Sequence, residues 1–83
     1  MLSYENRPLL NRILRLPQRA QVDLSYQKLC SADMRIIVQE IIEKWKPRWL
    51  DLTGNRIDAL GVKILAEALE KDNPLSVLLV GYN

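Results

Sequence analysis

Apolar residues return along this chain at a fixed interval. Val22-Asp23-Leu24, Leu50-Asp51-Leu52 and Leu78-Leu79-Val80 are three apolar-x-apolar triplets, each 28 residues from the next. Three positions after each triplet stand Gln27, Asn55 and Asn83, and the register continues at Leu29 and Ile57. Alternation within a triplet is the period-two pattern of a strand with one apolar face. A constant period of this length predicts a solenoid, in which each coil buries its apolar side against its neighbours.

Between the strands the period changes to that of a helix. Strand residues 21–26 lead through a corner at 27–30 to Ser31, a favourable N-cap. A helix over 32–45 follows, with Met34, Ile37, Val38, Ile41, Ile42 and Trp45 as its apolar stripe, and Pro47 ends it. The second unit repeats this course. Residues 49–53 form a strand, 54–57 a corner, Asp58 an N-cap and 59–71 a helix with Leu60, Ile64, Leu65, Ala68 and Leu69 inward. On its wet side Glu67 and Lys71 are four apart and can pair. Asp72-Asn73-Pro74 stops it, and 75–83 begin a third unit. Ahead of the repeats, Pro8 opens a short amphipathic helix carrying Leu9, Leu10, Ile13, Leu14 and Leu16, which Pro17 ends. Such a helix is expected to cap the first coil. The domains are therefore a cap over 1–20 and repeats over 21–83, divided as 21–48, 49–76 and a partial 77–83.

Composition narrows the chemistry. Eighty-three residues make one small domain, and 48% hydrophobic content favours a folded one. The net charge is +2, but residues 1–30 hold five basic against two acidic groups, and Lys44, Lys46 and Arg48 cluster in one loop. These read as solvated charges rather than a nucleic-acid footprint, which needs a denser basic face. Cys30 is the single cysteine, which suits a reducing, intracellular and so cytoplasmic setting. There is no His, no Gly-rich phosphate loop and no metal-ligand spacing, so neither enzyme activity nor a cofactor or metal is expected. No apolar run approaches a membrane span, and the arginines interrupt any signal-peptide core at the N-terminus.

The stretch from Leu50 to Leu69, reading L-x-L-x-x-N-x-I and then G-x-x-x-L-A-x-A-L, resembles the ribonuclease-inhibitor type of leucine-rich repeat. The match is close in the second unit and good in the third strand. It is weaker in the first, where Gln27 replaces asparagine and Asp33 stands in place of Gly61. The resemblance implies an α/β fold: a short leucine-rich-repeat solenoid, with a parallel three-stranded sheet inside, helices outside and right-handed crossovers. It also gives structural roles to Asn55 and Asn83, whose amides form a ladder between turns that Gln27 breaks.

In that family the residues flanking each triplet face a concave surface that binds proteins. Here these are Gln21, Asp23 and Ser25, then Trp49, Asp51 and Thr53, then Val77, Leu79 and Gly81. Trp49 is the natural anchor, unless it only covers a neighbour near Trp45. Stacked Asp23 and Asp51 hint at a cationic partner. Val77 and Leu79 bare apolar side chains on an edge strand. Three accounts stay open: further repeats beyond this stretch, a second copy forming a homodimer, or a different protein. The expected function is protein–protein interaction. The alternatives are a structural N-terminal part of a larger repeat protein and weak nucleic-acid binding through Arg12, Arg15, Arg19 and the Lys44–Arg48 loop.

Overall fold

The 28-residue register is realised as strand pairing. In a computed structural model describing residues 5–17, 19–71 and 73–83, strands β1 (Gln21–Asp23), β2 (Trp49–Asp51) and β3 (Val77–Leu79) form one parallel sheet in the order β1-β2-β3. Val22 pairs with Leu50 and Leu50 with Leu78. The regular strands are shorter than the alternation suggests, yet the ladder runs on past them. Leu24 N–H donates to Asp51 O at 2.9 Å and Tyr26 N–H to Thr53 O at 2.8 Å; Leu52 and Gly54 repeat this to Leu79 and Gly81 at 2.7 and 2.8 Å.

Helices connect the strands, as parallel pairing requires. Helix α1 is Arg7–Leu14, α2 covers 31–45 and α3 is Ala59–Leu69. Helix α2 is irregular: a 3-10 turn Ser31–Asp33, an α turn Met34–Ile37, a π turn Val38–Ile42 and a last α turn Glu43–Trp45. It ends at Lys46, left-handed at φ 50°, just before buried Pro47. The sheet face bearing Val22, Leu24, Leu50 and Leu52 packs with Met34, Ile37, Ile41 and Leu65 into one core.

Helix α1 opens at Asn6, whose Oδ1 accepts the Leu9 N–H at 3.1 Å. Leu9 and Ile13 are buried in the shared core, whereas Leu14 points to water. The Asn6 amide also donates to Asp33 Oδ1 at 3.0 Å, and Asp33 Oδ2 accepts the Cys30 N–H at 2.8 Å. Asp33 therefore fastens the first helix to the start of the second. The part of the cap over 1–4, and Gln18 and Asp72, lie outside the described residues.

Burial falls off toward the last unit. Met34 is fully buried, while Val62, 28 positions on, is 48% exposed. Leu60, expected inward, is 57% exposed. Lys71 pairs not with Glu67 but with Glu43 of α2, at 3.8 Å. The interhelix approach brings that carboxylate within reach. Among the described residues no helix is long and apolar enough to cross a membrane.

Candidate functional site

Strand alternation turns one sheet face into the core and leaves the other open. The open face holds the rows read from the sequence. Pairing aligns Gln21 with Trp49 and Val77, and Asp23 with Asp51 and Leu79. Gln21 and Asp23 are exposed, and Ser25, Trp49, Asp51 and Thr53 are half-buried. Val77 and Leu79 are exposed, as is Gly81.

The two aspartates have local partners. Asp23 Oδ1 accepts the Ser25 hydroxyl at 2.6 Å and the Ser25 N–H at 3.0 Å. Asp51 Oδ1 accepts the Thr53 N–H at 2.9 Å. Both form Asx turns that carry the chain off the strand. The Ser25 hydroxyl, then its N–H, hold the Asp23 carboxyl below its ordinary range; slight burial opposes this and Arg12 adds to it. The face therefore keeps a negative charge at neutral pH.

At the opposite edge the basic loop meets residue 19. The Ala20 carbonyl accepts the N–H groups of Arg48 and Trp49 at 2.8 and 3.2 Å, joining the two loops. The Arg19 guanidinium lies 4.6 Å from the Trp45 ring centroid, a cation–π contact. Lys44 is paired with Glu40 at 2.8 Å, and Arg12 and Arg15 belong to the α1 segment.

Asn55 holds the site's scaffold. Its Oδ1 accepts the N–H groups of Gln27 and Leu29 at 2.9 and 3.0 Å, and its Nδ2 donates to the carbonyls of Leu24 and Leu52 at 3.0 and 2.9 Å. Asn83 repeats the pattern 28 residues on: Oδ1 accepts from Ile57, and Nδ2 donates to Leu52, Val80 and Gly81. Gln27, one methylene longer, turns its amide to Ser25 O within its own turn at 3.1 Å.

One cluster escaped the sequence reading. Ser31 does not cap its own helix; Cys30 stands there. Its hydroxyl instead reaches the start of α3, accepting the N–H groups of Asp58 and Gly61 at 3.0 and 3.1 Å and donating to Asp58 Oδ1. A Cβ at Gly61 would lie 2.6 Å from Ser31 Oγ, so glycine here makes room for the approach. The signal was present in the exchange of Asp33 for Gly61 between units, but only the third dimension shows what replaces the carboxylate.

The Ser31 hydroxyl, then the Gly61 N–H, hold the Asp58 carboxyl below its ordinary range. A depressed carboxyl stabilises the fold above its unfolded pKa and ceases to do so as pH falls through the folded one. Stability at neutral pH is therefore expected to include this contribution, and acidification through and below the ordinary range of an aspartate carboxyl to remove it. Urea unfolding of the wild type and Asp58→Asn from neutral to acid pH checks this: the variant's curve should be the flatter.

Among the described residues, no group of three or more His, Cys, Asp or Glu side chains is placed to hold a metal ion. Comparisons with protein-family models, curated proteins and solved structures find no match to this chain.

Proposed function

We propose that this chain is a short leucine-rich-repeat solenoid serving as a protein–protein interaction module, not an enzyme, and that it binds through its open strand face. The observation that carries this reading is the lateral alignment of Gln21, Trp49 and Val77 beside Asp23, Asp51 and Leu79. The side chains form a continuous open surface mixing an aromatic, carboxylates and aliphatics, a composition suited to another protein's surface. The solenoid reading draws on the same register and on the paired roles of Asn55 and Asn83. Its single cysteine fits a cytoplasmic setting. Self-association belongs to the same reading, through the β3 end of the face.

The test compares proteins captured from a lysate by the immobilised wild type, by Trp49→Ala and by Arg35→Ala on the helix side. A half-buried aromatic anchor is worth about 2 kcal/mol or more at an interface, about thirtyfold in affinity. Trp49→Ala should therefore lose proteins that Arg35→Ala retains. Equal capture by all three, with circular dichroism showing each folded, would remove the strand face as the binding surface.

A further inference from the structure

Resting on the strand-face reading, we propose that the partner at its β3 end is a second copy of this chain, joined antiparallel about a two-fold axis beside Leu79. Backbone geometry supplies the first argument. Leu24 N–H donates outward to Asp51 O, and Leu52 N–H outward to Leu79 O. The same register directs the Val80 N–H to the free edge of β3. Tyr26 and Gly54 donate likewise to Thr53 and Gly81, which places the Tyr82 N–H on that edge too. The edge invites another strand.

Charge supplies the second argument. No residue from 73 to 83 is charged, so an edge-to-edge pair brings no like charges together. Edge strands that must stay single ordinarily carry lysine, proline or a bulge as a deterrent; β3 has none of the first two between Leu75 and Asn83. The other end of the chain is closed differently. Helix α1 is fastened there by buried Leu9 and Ile13 and by the Asn6–Asp33 bond. Head-to-tail stacking of copies would have to displace it, so two copies join by self-complementary pairing about a two-fold axis.

A register follows. With Leu79 opposite Leu79 of the second copy, Leu78 pairs with its Val80 through the outward backbone groups, and Val77 meets Gly81, which offers no side chain. Val77 and Leu79, 38% and 39% exposed, become covered. The helix layer agrees. Arg35, Val38 and Gln39 of α2 line the groove facing α3. On α3 that groove is lined by Ile64, Glu67, Ala68 and Lys71, so Val62 and Ala66, which the helical period sets on the other flank, would face the second copy. Two antiparallel α3 helices then bring the small Ala66 of each copy together. They also cover Val62, the exposed counterpart of buried Met34.

Sedimentation of the purified chain over a concentration series tests the proposal. A reversible species of twice the 9.6 kDa chain mass is expected. Leu79→Lys sets two lysines against each other and should weaken the dimer at least about a hundredfold. An equimolar mixture of Leu79→Lys and Leu79→Glu sets opposite charges together and should recover the dimer, which damage to the fold would not do. A wild-type monomer, a mass growing past two chains, indifference to Leu79→Lys, or a mixture no better than Leu79→Lys alone overturns the proposal. A monomer that still loses captured proteins on Trp49→Ala removes the dimer and leaves the strand-face reading standing. A dimer with capture indifferent to Trp49 keeps the dimer and removes that reading.

Discussion

Asn55→Ala is expected to cost about 4 kcal/mol, about a third or more of the stability of a domain this size. The side chain is 5% exposed and satisfies four backbone groups, the N–H of Gln27 and Leu29 and the carbonyls of Leu24 and Leu52. Each buried group left without a partner costs about 1–3 kcal/mol, part of it relieved when the turns loosen toward water. A domain of this size has about 4–12 kcal/mol in all. Asn83→Ala removes the same kind of bonds, but Asn83 is exposed and water replaces them; about 1 kcal/mol or less is expected. Asn55→Asp keeps the acceptor for Gln27 and Leu29 while losing both donations, and should fall between. Urea midpoints of the three variants decide the matter: an Asn55→Ala loss no larger than that of Asn83→Ala would show that the ladder does not hold the units together.

Leu50→Ala is the second large effect, at about 3 kcal/mol. Leu50 sits on the central strand between Val22 and Leu78, fully buried. Truncating a buried leucine loses its transfer energy and leaves a cavity, together about 2–5 kcal/mol. The sheet is fixed on both sides, so the cavity has little room to collapse. Leu78→Ala makes the same chemical change on β3, where the side chain is only half-buried, and should cost about 1 kcal/mol. Leu78 changes character if β3 pairs with a second copy, because its surroundings then resemble those of Leu50. Denaturation at low and high protein concentration separates these cases, since an interface adds stability by mass action.

Much of the fold was legible because repetition supplies its own check. A helix or strand assigned once from a short pattern is ambiguous; the same pattern returning at positions 22, 50 and 78 fixes the pairing register as well. The open face followed directly, because period two dictates which side chains share it. The details that did not follow are contacts between units. Leu60 fits a helical apolar stripe, but nothing in its periodicity reveals that no neighbour covers it. Lys71 is four residues from Glu67, yet Glu43 of α2 is the carboxylate it meets. The stacked carboxylates of Asp23 and Asp51 were legible, but not that each also accepts from its own turn, at Ser25 and Thr53.

Beyond the role of Asn55, which came from the resemblance its motif bears, the sequence by itself determined the alternation of strand and helix and the shared register of the three strands. Those properties depend on local period and on translation by 28 residues, and both are written in one dimension. Tertiary structure alone decided that Asp33 ties α1 to α2 through Asn6, that Ser31 serves the start of α3, and that Arg19 lies over Trp45. Each joins residues whose separation matches no repeat of the pattern, so only the packed chain brings them within hydrogen-bonding or ring-contact distance.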